Sequence, residues 1–396
     1  MFRMGGVRRD YSWGSTSALP ELIGLEPDGR PYAEMWYGAH SSGPSPLLSG
    51  APMPDLRELI EKDPTAVLGE DVHARFGARL PYLLKLIAPA GPLSLQVHPD
   101  IERARAGFAL ENAAGIPVTA PWRNYRDTNH KPELVYAVTT FEAISGFRAP
   151  RRAAELFEGI ETPLGRRILA ALRDDLSAVG VRAAFGALLD PEDGPTPYEV
   201  EALAEAVADR QGASPSPRAD AIVALLQDHF PGDPGVVVSL LLNPVTLRPG
   251  EAMFIPAGGV HAYLSGVGVE LMANSDNVLR AALTSKHRDV PELLDVVEYV
   301  AAPPIRIAPE ISHNSARVYY APVDDFELSV TELVDDDAHV LRGRGPRILL
   351  ALDGEICLAS PTGEVCLTPG DAVFVASSEA PVTPSGRGTV VQADVP

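Results

Sequence analysis

The sequence predicts a mainly β protein interrupted by an α-helical insertion, and three observations carry that prediction. Short apolar runs broken by Gly and Pro fill residues 1–150 and return from residue 236 onward. Between them, residues 151–235 change to Ala, Leu and Glu at helical spacing. Finally, "LRPGEAMFIPAGGVHA" from Leu247 is echoed by "LTPGDAVFVASSEAPV" from Leu367. Both keep the register Leu-x-Pro-Gly-acid-Ala-x-Phe, a turn feeding a buried strand, and are read as equivalent hairpins of two related β-barrels. In the second copy Pro381 falls where the first has His261.

A chain of 396 residues has room for two or three folding units. The predicted division is one β unit from 1–150 with 236–300, a helical insertion at 151–235, and a second β unit at 301–396 after the linker "AAPPIRIAP". With 34 Gly and 38 Pro, many short strands joined by turns are expected. In the first unit "LPYLLKLIAPAGPLSLQVHPD" and "NHKPELVYAVTTFEAISGF" read as strands. Within the insertion, "TPYEVEALAEAVA" opens on a capping box, with Thr196 as N-cap, Pro197 at the first position and Glu199 three residues after the cap. Ser216 and Pro217 repeat the start signal, and that helix stops before "PGDPG". Strands resume in "GVVVSLLLNPVTLRPGEAMFIPAGGVHAYL".

Charge narrows the partners. Lys plus Arg number 33 against 53 Asp plus Glu, a net of -20 that opposes nucleic-acid binding. An anionic substrate would have to be drawn in by a local cluster of cations. The N-terminus lacks the apolar core of a signal peptide, and no apolar run approaches the ~20 residues of a membrane span. A cytoplasmic protein without membrane partners is expected. Cys357 and Cys366 lie symmetrically about "SPTG", where a hairpin could set them opposite one another; reduced core thiols are expected rather than a disulfide.

Three stretches place polar groups where a core wants apolar ones. In "LSLQVHPD", strand alternation puts Leu93, Leu95 and Val97 on one face and Ser94, Gln96 and His98 on the other. Against a core each polar group would cost about 1–3 kcal/mol without a partner, so a cavity or a metal suits them better. In "NHKPELVYAV", Lys131 and Glu133 share a face just after His130, and the apolar run carries Glu133 inward, where a charge must be paired or bound to a cation. In "IPAGGVHAYL", His261 and Tyr263 project on one face. Two imidazoles and two oxygen ligands, His98, His261, Glu133 and Gln96, suit Zn²⁺, although Fe²⁺ or Mn²⁺ would also accept them. "GVELMANSDNVLRAALTSKH" adds Asp276, Arg280 and Lys286, cations suited to phosphate and developing oxyanions. The plainer reading of that stretch is a helix-start loop with Ser275 or Asp276 as N-cap.

Together with "YSWGS" and "AEMWYGAHSSGPS", these motifs follow one another over nearly the whole chain, and in that order the sequence resembles the type I phosphomannose isomerases. The match is weakest from about residue 305. The resemblance implies cupin-type, jelly-roll β-barrels, one catalytic and one a degenerate C-terminal barrel, with a helical domain inserted. It implies one Zn²⁺ per chain and reversible interconversion of mannose 6-phosphate and fructose 6-phosphate by metal-assisted proton transfer through a cis-enediol. By motif position the zinc ligands would be Gln96, His98, Glu133 and His261, and Arg280 a catalytic residue. Lys131, His130 and Asp276 match positions for proton transfer or ring opening, without a choice of base among them. Ser94, Lys85 and Lys286 would face the sugar phosphate, and Tyr263 and Glu270 would line the pocket. Gly259 and Ser285 depart from the family pattern, which usually has Asn and Pro there. The partner expected is a small sugar phosphate, and the chain a monomer or weak homo-oligomer. The rival readings are a non-catalytic metal-bound cupin that binds sugar phosphate, and a metal-dependent oxygenase, which leaves the Lys and Arg set without a purpose.

Overall fold

The structure, a computed structural model, describes residues 1–396 apart from 49, 313–315, 335–339 and 380. Among the described residues the long-range strand pairings build three antiparallel sheets. The five-stranded sheet runs Leu279–Ala282, Leu95–Val97, His261–Ser265, Phe141–Phe147, Leu242–Leu247. The seven-stranded sheet runs Ile305–Ile307, Ala252–Ile255, Glu133–Ala137, Gly268–Ala273, Tyr82–Ile87, Glu34–Gly38, Val7–Arg9. The eight-stranded sheet runs Phe2–Met4, Ala372–Val375, Arg347–Ser360, Thr383–Asp394, Glu327–Leu333, Arg317–Tyr319, Glu310–Ile311, with Gly363–Leu367 also paired to Arg347–Ser360.

Alternation along the strands stacks these sheets in layers. Leu95, Val97, Ile144 and Phe147 turn outward from the five-stranded sheet into a core shared with Phe157, Ile168, Phe185, Leu203 and Leu226 of the helical segment. The five- and seven-stranded sheets meet through Ile87, Val135, Phe141, Val245, Met253 and Tyr263. On the other face of the seven-stranded sheet, Leu84, Leu134 and Phe254 pack with Ile348, Leu350 and Phe374 of the eight-stranded sheet. Glu133, beside Leu134, is therefore sent between the first two sheets.

The helical insertion follows its caps. Thr196 accepts from the Glu199 N–H, and Glu199 accepts back from the Thr196 N–H at 2.8 Å, at the start of helix Pro197–Asp209. Ser216 caps helix Pro217–His229. The echoed hairpins also form alike. Gly250 and Gly370 sit at φ +88° and +84°, where a side chain would be strained. Their N–H groups donate to Ala137 and Ala351 O, both at 2.9 Å. Glu251 accepts from the Arg248 N–H at 2.9 Å, and Asp371 from the Thr368 N–H at 3.0 Å.

Four readings of the sequence are corrected, one of them the rival reading at Ser275 and Asp276. Residues 1–150 are not purely strands and turns: they include helices Leu56–Lys62, Pro64–Leu68, Glu70–Phe76 and Ile101–Ala113. The last buries only Ala104 and Gly107 and leaves Leu110 71% exposed, so it shows no apolar stripe; its signal is the cap Asp100, which accepts from the Arg103 N–H at 2.7 Å. In "LSLQVHPD" the strand covers only Leu95–Val97. Leu93 packs into the core between the sheets while Leu95 and Val97 face the helices, so alternation breaks at Ser94. After Ser275 and Asp276 comes strand Leu279–Ala282, not a helix. Cys357 and Cys366 pair in register and form a disulfide on a hairpin whose second strand is largely exposed, so they are not core thiols. In addition, the two β units exchange edges: Phe2–Met4 pairs with Ala372–Val375, and Ile305–Ile307 with Ala252–Ile255.

Candidate active site

Three buried side chains meet between the five- and seven-stranded sheets. His98 follows strand Leu95–Val97, His261 opens its strand opposite Gln96, and Glu133 opens the facing strand. Both imidazoles are 0% exposed and Glu133 is 2% exposed. His98 Nε2 lies 3.3 Å from Glu133 Oε1, and His261 Nε2 lies 3.2 Å from Oε2. The Gln96 amide is 3.4 Å from His261 Nε2.

Backbone carbonyls decide which ring nitrogen carries the proton. His98 Nδ1 is 2.7 Å from Asn277 O and His261 Nδ1 is 3.0 Å from Gly259 O; a carbonyl can only accept, so each Nδ1 is the donor. In its neutral form each ring would then turn the lone pair of Nε2 toward Glu133. Burial, reinforced by the Lys131 charge, pushes the His98 pKa down to about 4, so this ring is neutral near pH 7. Burial opposes ionisation of Glu133, but the charge of Lys131, 3.1 Å away, works against it, and the carboxyl is held well below its usual range. His98 Nε2 and Glu133 Oε2 are buried without a hydrogen-bond partner. Lone pairs and a carboxylate converging in this way repel unless a cation lies among them. Tetrahedral bonds of about 2.0–2.1 Å put neighbouring ligand atoms about 3.3 Å apart, which matches these separations. His98, Glu133 and His261 can hold a metal ion.

Beside this set, Lys85 and Glu270 pair in register across neighbouring strands, Nζ to Oε2 at 2.7 Å, both buried. Burial acts to discharge Lys85, but Glu270 and Glu34 outweigh it and raise its pKa. The Lys85 ammonium lies over the Trp36 ring, whose Nε1 donates to Glu34 at 2.6 Å. The Tyr263 hydroxyl is buried near Glu270 without a well-formed hydrogen bond, and burial raises its pKa well above the usual value.

Asp276 is the more open group, with 39% of its side chain exposed and Oδ1 3.4 Å from His40 Nε2. Burial pushes its pKa up, but His40 and Lys131 outweigh that and leave it below the ordinary carboxylate value. Arg280 pairs in register with Gln96. Burial and the Arg126 charge lower the pKa of Arg280, and burial with Arg280 and Arg126 lowers that of Lys286. Among the described residues no carboxylate forms an ion pair with Arg126, Arg280 or Lys286. In a chain of net charge -20, these three cations gather positive charge locally.

Two predicted residues stand apart. His130 Nε2 is 2.9 Å from Asp325 Oδ2, in the C-terminal segment, and is held there rather than by the buried triad. Ser94 is half-buried ahead of its strand, and its hydroxyl has no hydrogen-bond partner among the described residues. Sequence reasoning missed His40 and Arg126, although both lie in quoted stretches, "AEMWYGAHSS" and "NYRDTNHKPE". Their neighbours come from the distant 276–286 stretch, and local spacing has no access to that pairing.

Residues 1–150 match the family model for the catalytic domain of type I phosphomannose isomerase. The chain is 39% identical over 387 residues to the mannose-6-phosphate isomerase of Escherichia coli (strain K12), covering 97% of each. The chain belongs to the type I phosphomannose isomerases. Membership reaches along its whole length: the mannose-6-phosphate isomerase of Schizosaccharomyces pombe is 31% identical over 423 residues, 99% of this chain and 98% of that one. A zinc-bound mannose 6-phosphate isomerase has the same fold, with a TM-score of 0.90 at 37% identity over 99% of this chain and 98% of that one. No helix among the described residues of this phosphomannose isomerase family member is long and apolar enough to cross a membrane.

Proposed function

We infer that the chain interconverts mannose 6-phosphate and fructose 6-phosphate, with Zn²⁺ held by His98, Glu133, His261 and Gln96. The observation that carries this reading is the convergence of two imidazole lone pairs on an ionised, buried carboxylate. Zinc bound there would supply a Lewis acid that polarises a sugar oxygen. Lys286 and Arg126 bind the phosphate, and Arg280 stabilises the charge that develops on the sugar oxygen as the proton moves between C1 and C2 through a cis-enediol. Lys131 and Asp276 are the groups best disposed to move protons: one is an amine beside Glu133, the other a half-exposed carboxylate held ionised. The bond from His130 to Asp325 fits a role in holding the loop better than a role in proton transfer. Lys85, Glu270 and Tyr263 form the buried floor under the sugar, and Ser94 lies at its edge.

The five- and seven-stranded sheets are read as a catalytic cupin-type barrel drawn from 1–150 and 236–300, with the helical domain inserted at 151–235 and a degenerate barrel at 301–396. A phosphorylated sugar does not cross a membrane unaided, which supports a cytoplasmic enzyme. The test is incubation of the protein with mannose 6-phosphate and zinc, with and without a chelator. Fructose 6-phosphate should form and its formation should stop on chelation. Tight binding of zinc and sugar phosphate without turnover would instead identify a non-catalytic binding protein.

A further inference from the structure

We propose that Asp127 is a positioning residue for the reaction, setting Asp276 directly and the metal ligand His98 through Asn277; this rests on the metal-site reading above. The Asp127 carboxylate gathers donors from two loops. Its Oδ1 accepts from the Asn129 N–H at 2.8 Å and the Ser275 hydroxyl at 2.9 Å, and its Oδ2 accepts from the Asp276 N–H at 2.7 Å. Asn277 completes the lock from a fully buried position. Its Oδ1 accepts from the N–H groups of Arg126, at 2.7 Å, and Asp127, at 3.2 Å. Its Nδ2 donates to Asp127 O at 2.9 Å and Asn129 O at 2.8 Å. The main-chain oxygen of the same residue accepts from His98 Nδ1 at 2.7 Å.

These bonds turn two loops, 126–129 and 275–277, into one rigid piece. One loop leads into Lys131 and Glu133, and the other carries Asp276 and leads to Arg280. The Asn277 carbonyl that fixes the proton on His98 Nδ1 is held only as firmly as its own side chain. Outer partners of metal-binding imidazoles orient the ring and raise its basicity, and their loss costs roughly 10–100-fold in metal affinity. A carboxylate is needed at 127 because backbone and hydroxyl donors reach both of its oxygens. Asp127→Asn keeps the volume but turns an NH₂ toward one of those donors.

The experiment measures zinc affinity by competition with a chelator, and the exchange-protected proton NMR signal of His98 Nδ1 in zinc-free protein. Wild type, Asp127→Asn and the milder Ser275→Ala, which removes one donor to Asp127 and the acceptor of the Asn277 N–H at 3.1 Å but leaves the charge, are compared below their measured Tm. Asp127→Asn should weaken zinc binding about 10–100-fold and lose or shift the His98 signal, with Ser275→Ala in the same direction and a few-fold in size. Loss of fold alone would lower Tm and leave the zinc affinity of the folded fraction unmoved. If wild type binds zinc tightly and both variants match it with the His98 signal in place, Asp127 has no positioning role. Failure of wild type to bind zinc at all would overturn the metal reading itself, and this proposal with it.

Discussion

In the seven-stranded sheet, Glu133–Ala137 lies between Ala252–Ile255 and Gly268–Ala273; in the eight-stranded sheet, Arg347–Ser360 lies between Ala372–Val375 and Thr383–Asp394. The two pathways then continue in step, strand for strand, to both edges. The equivalent turns at Gly250 and Gly370 fix the correspondence. Glu133 pairs with Ile255, and Arg347 with Val375. Glu270 pairs with Val135 and Lys85, and Gln392 with Leu349 and Ser329. So Arg347 stands for Glu133, Gln392 for Glu270 and Ser329 for Lys85, while by sequence Pro381 stands for His261. The apolar positions of the shared core, Leu134 and Phe254 against Ile348 and Phe374, stay apolar. Sheet and turn therefore specify the scaffold, and among the four exchanged polar positions Glu133 and His261 are the two that could hold a cation. Where Glu133 faces two imidazole nitrogens, the buried Arg347 guanidinium donates to the Arg342 carbonyl at 2.6 Å and has the Asp394 carboxyl nearby, although its Nε is left without a hydrogen-bond partner.

The comparison breaks most completely at Glu133. Glu133→Gln removes the anionic ligand, and both zinc content and turnover should fall by well over a hundredfold, since even outer partners of ligands are worth about 10–100-fold. Metal analysis of the purified variant and a coupled isomerase assay check this. Arg347→Met, the matching change in the eight-stranded sheet, should leave zinc and turnover intact. Arg280→Ala tests a group that only the site-bearing sheets possess. Turnover should fall about 10²–10³-fold with zinc content unchanged, and near-normal turnover would remove Arg280 from the chemistry.

A pH measurement sharpens the comparison from the other side. Burial raises the Asp394 pKa to about 7, against the Val395 N–H and the Arg347 charge, from an ordinary value of 3.8. A carboxyl whose pKa is higher in the folded state than in the unfolded state holds its proton better when folded. Its contribution is therefore full below about pH 4 and is lost as pH rises through about 7. Asp394→Asn, which stays neutral, should flatten the fall of Tm between pH 4 and 7, an effect of up to a few kcal/mol. A slope equal to that of wild type would mean that another group titrates there.

Much of this was legible in the sequence, and the failures have physical causes. Periodicity exposed strands with one polar face, and Gln96, His98, Glu133 and His261 came from that rule. Caps located the helices at Pro197 and Pro217, because Thr196 and Ser216 act on the next three residues. Helix Ile101–Ala113 was hidden because it buries little, and periodicity registers only what a core demands. His40, Arg126 and Asp127 were illegible for another reason: their partners in the 275–286 stretch are well over a hundred residues away in sequence. The cysteines misled because a hairpin can be predicted without knowing that its outer strand has no sheet beyond it.

The smallest expected effect concerns Ser94. Strict alternation would seat its hydroxyl with Gln96 and His98, over the sugar. Leu93 instead packs into the core between the sheets, and Ser94 falls before the strand begins, half-buried. A hydroxyl that hydrogen-bonds no described residue is free to meet a substrate oxygen, and one such bond is worth about 0.5–1.5 kcal/mol. Ser94→Ala should therefore raise KM for mannose 6-phosphate by about two- to tenfold, leaving kcat and zinc content as in wild type. An unchanged KM would put Ser94 outside the pocket and show that the break at Leu93 turns it away from the sugar. A fall in kcat with KM constant would instead tie it to the transition state. On the proposed reading the sugar is held by the other two sheets, so no such KM effect is expected from a substitution in the eight-stranded sheet, and that asymmetry separates a pocket contact from a residue that merely keeps a sheet in register.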